Sequence, residues 1–265
     1  MTLVLHAAFS EGEGATTVNE QDGTHEGVLE GSTSPTWQTS GGVGGKGNHL
    51  SFNGVEGGSI VRFPEKAETK ISGAISVGAW VKTEQTFPGE PADEPQKEIV
   101  TRGGGNFSLG WEEDAVEYFV WLRCYFRASD SDYFELEWRD DNPQPGFRDG
   151  DWHHILIRFT PSSDQSTEDG TAQLWVDGVM KDEESHSLAD LKVSGVEDWW
   201  IVGGRKSTST DVIDRNLAAS IDEVKIWDEY VSDATIASES TEEEEEAASG
   251  GGIHISVGNC RIEMG

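Results

Sequence analysis

The sequence predicts an all-β fold of the sandwich type, and three observations lead there. Apolar and polar residues alternate with period two along many short segments, as half-buried strands require. Glycine- and proline-rich stretches separate those segments. The material for a core is concentrated in large side chains: only 35% of residues are hydrophobic, yet ten are Trp and ten are Phe. Thirty-two glycines suit many tight turns better than helices. A chain of 265 residues holds one large all-β domain or two small ones.

The elements follow in order. In residues 3–9, Leu3, Leu5, Ala7 and Phe9 share one face of a first strand. The stretch lacks a basic start and a long apolar run, so it reads as a strand rather than a signal peptide. Further strands are predicted at 50–52, 59–63, 74–82, 98–102, 106–111, 117–127, 133–139, 152–160, 171–177, 199–202 and 219–227. Asp177-Gly178, between "QLWV" and "VMKDE", predicts a type I′ hairpin turn. A short helix is predicted from Ser232, a suitable N-cap. Beyond it, 238–252 read as an acidic, glycine-ended linker. Residues 253–265 resume strand alternation, with Ile253, Ile255 and Val257 in phase and Gly258-Asn259 placed to turn a hairpin. A lone hairpin cannot bury its own apolar face, so this tail is expected to dock on a second surface. The expected organisation is therefore a domain at 1–237, a linker at 238–252 and a docking tail at 253–265.

Fifty acidic residues face nineteen basic ones, for a net charge of −31. Residues 238–265 hold seven Glu and one Arg, or −6, which leaves −25 on the body of the chain. Such a surface repels nucleic acid and anionic membranes, which excludes both as expected partners. At molar salt the screening length falls to about 3 Å, and the self-repulsion falls with it. The charge and the nine lysines predict a protein built for a high-salt environment; an ordinary acidic secreted protein is the alternative. No stretch is long and apolar enough to span a membrane. Cys124 and Cys260 are too few for a disulfide framework; one buried strand cysteine and one tail cysteine is the expectation, with a single bridge as the alternative.

The pair His153–His154 in "DGDWHHILIRF" invites a metal or catalytic reading. Neighbouring strand side chains point to opposite faces, so the two imidazoles diverge and cannot chelate one ion. His153, in phase with Ile155, Ile157 and Phe159, is expected to be a hydrogen-bonded core residue. The same segment, together with "LWVDGV", resembles the paired strands of laminin-G-like domains of the concanavalin-A-like class. "LHAAFSEGEG" resembles the opening strand with Ser10 at a usual Asp, and "DGTHEG" the next loop with His25 at a usual Gly. "GGKGNHLSFNG", "ISVGAWVK", "IVGGR" and "ASIDEVKIWDEYVSDATI" continue the resemblance in order, over about residues 3–237. It implies two antiparallel sheets in a jelly roll, closed by a short helix. It does not fix function, because the fold hosts lectins, adhesion modules and glycoside hydrolases. It also implies a structural calcium ion, with Glu11, Asp22 and Asp222 as candidate ligands.

The strand at 117–127 is the most informative for function. Tyr118, Val120, Leu122, Cys124 and Phe126 form an apolar face, while Glu117, Phe119, Trp121, Arg123, Tyr125 and Arg127 mix aromatics with charge. The strand at 133–139 repeats this, with Phe134, Leu136 and Trp138 inward and Tyr133, Glu135, Glu137 and Arg139 outward. A turn at Asp130 sets Arg123 opposite Glu137, Tyr125 opposite Glu135 and Trp121 opposite Arg139. Aromatic rings beside polar forks suit a sugar, so Trp121, Arg123, Tyr125, Tyr133 and Glu137 are the candidate carbohydrate-binding residues. Glu135 and Glu137 lie about 6.6 Å apart along the strand, near the spacing of a hydrolytic pair. The Glu-x-Asp-x-Glu run of jelly-roll hydrolases is missing, however, so no enzyme is expected. The expected function is non-catalytic glycan binding or adhesion, outside the cell or on a virion surface. A virion turret, spike or fibre that attaches to host glycans or glycoproteins and oligomerises through its tail comes first. A carbohydrate-binding module of a secreted or surface protein of a halophilic archaeon is the alternative, and a jelly-roll glycoside hydrolase the third.

Overall fold

The computed structural model describes residues 2–241 except 46, 56, 84–95, 104, 115–118, 130, 141–145, 194–197 and 208–209. Most of the expected linker, the whole tail at 253–265, and Cys260 lie outside the described residues. In chain order the strands are β1 (Leu3–Ala7), β2 (Thr16–Val18), β3 (Glu26–Glu30), β4 (Thr36–Gln38), β5 (His49–Asn53), β6 (Ile60–Phe63), β7 (Ile75–Lys82), β8 (Gln96–Arg102) and β9 (Phe107–Asp114). They continue as β10 (Phe119–Arg127), β11 (Tyr133–Asp140), β12 (Trp152–Thr160), β13 (Gly170–Val176), β14 (Val179–His186), β15 (Trp200–Val202), β16 (Arg205–Lys206), β17 (Ile213–Asp214) and β18 (Ala218–Trp227). One helix, α1 (Asp233–Glu239), closes the series.

Two antiparallel sheets form the sandwich. Sheet A runs β14-β13-β12-β7-β18-β5-β4, with β1 also on β18; sheet B runs β11-β10-β9-β8-β15-β6-β3-β2. A two-stranded ribbon, β16-β17, stands apart from both. The twelve predicted strands all form. The short strands β2, β3 and β4, at or next to the sheet edges, had no clear apolar alternation, and they owe their place to pairing with neighbours.

Alternation builds the core as the sequence requires. Ile155, Ile157 and Phe159 of β12 and Leu122, Cys124 and Phe126 of β10 meet in the main cluster between the sheets. Cys124 is buried with a free thiol, and burial pushes it well above its usual pKa. The β13–β14 turn is the expected type I′: Asp177 and Gly178 have φ of 51° and 71°, and Val176 pairs with Val179. A Cβ at Gly178 would also meet the Ser240 hydroxyl at 2.5 Å, so the turn needs glycine twice over.

The outer face of sheet A is covered. Leu156 and Trp227 point outward there and are capped by Val231 and Ile236 from the C-terminal segment, with Leu3 and Trp175 packed alongside. Ser232 caps α1 as expected, its hydroxyl accepting the Thr235 N–H at 3.2 Å. Arg158 ties the segment down: its Nη1 donates to the Val231 carbonyl (2.7 Å), Nε to Gln173 (2.7 Å), and Nη2 meets Asp233 (2.6 Å). The guanidinium lies over the Tyr230 and Trp175 rings. The helix runs to Glu239, two residues into the stretch read as linker.

The two histidines do diverge, but the core residue is the other one. His154 is buried against Trp80 on the covered outer face of sheet A, and burial lowers it to about 4. His153 is half-buried near the start of β12, at the rim of the sandwich. Its Nδ1 meets Asp177 at 2.8 Å and its Nε2 meets Asp149 at 3.0 Å. The hydrogen bond to Asp177, then that to Asp149, overcomes partial burial and raises it to about 9. His153 is thus a charged clasp between two turns, not part of the apolar core.

Candidate functional site

The outer face of sheet B carries no such cover among the described residues. Its register is the one expected: Arg123 lies opposite Glu137, Tyr125 opposite Glu135 and Trp121 opposite Arg139. On the other side, β9 sets Glu112 opposite Trp121 and Gly110 opposite Arg123.

Arg123 is the hub. Its Nη1 bonds Glu112, its Nη2 bonds Glu135 at 2.5 Å, and its Nε lies 3.4 Å from Glu137. Burial alone would lower the guanidinium, but Glu135 leads three carboxylates that raise it, so it is a fixed cation. Glu137 is the most exposed of these carboxylates; partial burial raises its pKa, against the pull of Arg123. Tyr125 stacks on Tyr133, centroids 5.2 Å apart, and its hydroxyl accepts Nε and Nη2 of Arg127 at 3.2 and 3.1 Å. Tyr133 is 56% exposed. Trp121 sits at the far end, with the Arg139 guanidinium 5.6 Å from its ring. Four of the five candidate carbohydrate residues therefore form two neighbouring pairs, Arg123 with Glu137 and Tyr125 with Tyr133, and Trp121 extends the row along the strand. The pair Tyr125–Glu135 is adjacent in register, but the Glu135 carboxylate turns to Arg123.

A cleft of about 230 Å³ opens beside this group over β8, β9 and β10. Arg123 and Tyr125 form one wall, Glu98 and Ser108 the floor, and Arg205 and Arg215 the opposite wall. Glu98, Arg205 and Arg215 were not foreseen, for physical reasons. Simple alternation puts Glu98 in phase with Val100 and Arg102, toward the core. A bulge between Glu98 and Val100 breaks that phase and sets Glu98 opposite Gly110 on the outer face. Arg205 comes from the β16–β17 ribbon, where Asp214 grips it through Nε (2.8 Å) and Nη2 (2.6 Å). Arg215 follows that ribbon with φ of 52°, a conformation costly for a residue with a Cβ. It is held there by Glu98, whose N–H donates to the Arg215 carbonyl (3.1 Å) and whose carboxylate accepts Nη1 (2.8 Å). Burial raises Glu98, and Arg215 offsets part of that. The only sequence signal was the scarcity of arginine in so acidic a chain.

The three calcium candidates are not brought together. Glu11 accepts the Thr17 hydroxyl (3.0 Å) and the Val18 N–H (2.6 Å). Asp22 accepts the Thr24 and His25 N–H groups at 2.8 Å and the Lys66 ammonium at 2.7 Å; these outweigh burial and hold it well below its usual range. Asp222 is buried beside a second cleft, of about 440 Å³, on the sheet A side, and among the described residues it accepts the N–H groups of Glu223 (3.0 Å) and Val43 (3.3 Å). Burial raises it to about 8. Among the described residues no group of three or more His, Cys, Asp or Glu could hold a metal ion. The three carboxylates do not fit one calcium ion, because two of them are committed to other donors.

A two-sheet antiparallel jelly roll closed by a short helix is the architecture of a concanavalin-A-like sandwich domain. The chain belongs to the concanavalin A-like lectin/glucanases superfamily, whose laminin-G family model matches residues 55–237. The strands before residue 55 complete the same two sheets. No curated protein matches the chain in sequence. Among solved structures, it is similar to the binding domain of Paraclostridial Mosquitocidal Protein 1, with 10% identity and a TM-score of 0.61 over 90% of this chain and 51% of that one. It is also similar to the binding domain of Botulinum neurotoxin DC in complex with rat synaptotagmin II, with 9% identity and a TM-score of 0.62 over 90% of this chain and 51% of that one. The same binding domain in complex with SialylT matches at 10% identity and a TM-score of 0.62, over 90% of this chain and 50% of that one. The chain spans about half the length of these structures. At such identities the likeness shows shared fold. No helix among the described residues is long and apolar enough to cross a membrane.

Proposed function

We propose that this chain is a non-catalytic glycan-binding domain that works outside the cell at high salt and meets its ligand on the outer face of sheet B. The observation that carries this reading is that the pairs Arg123–Glu137 and Tyr125–Tyr133 lie side by side on a sheet face that no described residue covers. Stacked rings offer apolar surface to a pyranose, and held charged forks offer donors and acceptors to its hydroxyls. Domains of this fold serve as binding domains in the mosquitocidal and botulinum proteins, which supports a binding role here. Both members of the carboxylate pair singled out in the sequence, Glu135 and Glu137, are ion-paired to Arg123, which supports a non-catalytic reading. The test is binding to arrayed and soluble oligosaccharides in 2 M KCl. Trp121→Ala is expected to weaken binding about tenfold while the domain stays folded; wild-type affinity in that variant would refute the site. Release of reducing ends from the bound sugar would refute the non-catalytic reading.

The setting we favour is a virion host-attachment component whose tail at 253–265 joins it to copies of itself. The supporting observation is the tail's strand alternation beyond an acidic glycine linker. Deleting residues 250–265 is expected to leave a folded monomer and abolish assembly; an unchanged oligomeric mass in molar salt would sink this. The high-salt reading rests on the −25 carried by the body of the chain. It predicts a melting temperature that climbs by about 5 °C or more between 0.1 and 2 M KCl. Calcium has no part in the proposal, and adding it is expected to leave the melting temperature unchanged.

A further inference from the structure

We propose that the second cleft, on the outer side of sheet A, takes a small neutral ligand with adjacent hydroxyl groups, a free polyol or a single sugar residue. This goes beyond the glycan reading above and does not depend on it, because the site lies on the other sheet. The C-terminal segment covers Leu156 and Trp227, and beside it a cleft of about 440 Å³ stays open. Small-molecule sites usually measure about 300–1,000 Å³. Trp80 of β7 and Asp222 of β18 pair in register beneath it. Ser238 and Glu239 of α1, and Asn48 just before β5, stand around them. A bulge in β18 shapes the cleft. Asp222 pairs with Trp80 and Lys225 with Gly78, so Glu223 and Val224 together oppose Ala79 alone. The core phase changes there, from Ala219 and Ile221 to Val224 and Ile226. Strict alternation from Ile221 would turn Glu223 and Lys225 into the core. The bulge sets Asp222, Glu223 and Lys225 along the cleft instead. Its cost is a φ of 49° at Glu223, left-handed backbone that disfavours a residue with a Cβ.

The charges gathered there are matched pair by pair. Glu223 meets His6 Nε2 at 2.6 Å, and Lys225 lies 2.6 Å from Glu239 and 3.6 Å from Glu223. Burial would raise Glu223, but His6 and Lys225 outweigh it and lower the carboxyl. Asp222 is 4% exposed and has no ion-pair partner among the described residues. Burial keeps it protonated at neutral pH, so it offers a proton where Glu223 and Glu239 offer lone pairs. Asn48 is fixed by its Nδ2, which donates to the Ser10 carbonyl at 2.5 Å, so its amide oxygen is an acceptor of set position. An anion would meet Glu223 and Glu239 here. A metal cation would find Lys225 already paired with both. A hydroxyl donates and accepts at once, so adjacent hydroxyls match this mixed lining, with Trp80 supplying apolar surface.

The test is titration calorimetry of the full chain in 2 M KCl. The probes are glycerol and sorbitol as free polyols, and the methyl pyranosides of glucose, mannose and galactose as single sugars. At least one is expected to bind with a Kd of about 1 mM or tighter, and the tighter class names the source. Ser238→Trp fills the cleft from the exposed side of α1 and is expected to weaken that binding at least tenfold. Glu239→Ala, which removes an acceptor, is expected to weaken it as well and serves alone if Ser238→Trp fails to fold by circular dichroism. Trp121→Ala, on sheet B, is expected to leave it unchanged. If none of the five probes binds at that strength, the proposal falls, and the sheet B reading still stands or falls on its own oligosaccharide test. Binding that survives in every folded cleft variant, or that is lost in Trp121→Ala, would place the ligand elsewhere and overturn the proposal.

Discussion

The two outer faces of this sandwich carry similar materials to opposite ends. Each has an arginine at the centre of a network of rings and carboxylates. On sheet A, Arg158 is buried, and it bolts the C-terminal segment over Leu156 and Trp227. On sheet B, Arg123 is held by three carboxylates, each about one-third or more exposed, and nothing described lies over it. The difference teaches that the chemistry of a residue type does not decide its role; what covers it does. A charged group under a segment of its own chain stabilises the fold, and a similar group left open is available to a ligand.

That contrast can be broken in graded ways. Trp227→Ala, on the covered face, is expected to cost the most, about 3–5 kcal/mol in denaturant unfolding measured in molar KCl. Sugar binding by the folded fraction should stay unchanged. Arg158→Ala should cost about 2–3 kcal/mol, because it leaves the Val231 carbonyl and Gln173 short of a donor under the C-terminal segment. His153→Gln should cost about 1–2 kcal/mol below pH 6.5. The sign follows from its raised pKa: the folded protein holds this proton more tightly, so the stabilisation is full below the unfolded value and is lost as pH rises through about 9. His154 works the other way. Its pKa is lowered to about 4, so it withdraws stability as pH falls from 6.5 toward 4, and His154→Phe should flatten that limb of the stability profile. Arg123→Gln, on the open face, should cost the least in stability, about 1 kcal/mol or less, because its partners are partly solvated. The same change should weaken sugar binding tenfold or more. A stability loss as large as that of Arg158→Ala, with binding intact, would erase the distinction between the faces.

Much of the fold was legible because strand alternation is a direct imprint of two-sided burial. The Arg123–Glu137 register could be read from the hairpin turn and the phase of Phe126 and Phe134 alone. What could not be read depended on events between segments. The bulge that turns Glu98 outward is set by pairing with β9, not by the residues of β8. Arg205 and Arg215 reach the cleft on a ribbon of two-residue strands, too short to leave a pattern. His153 was misplaced because phase reports which face a residue occupies and not how near it lies to the rim. The calcium candidates failed to converge for a similar reason: with fifty carboxylates, composition cannot say which are already taken.

The covered face has a consequence for how the molecule would be mounted. Thr241 lines the second cleft together with Trp80, Asp222 and Lys225, all on the sheet A side. The last described residue, Thr241, therefore stands at the back of the sandwich. The arginine-lined cleft opens on the opposite side. A domain held by its far end would present that cleft outward, like a hand extended from the wrist.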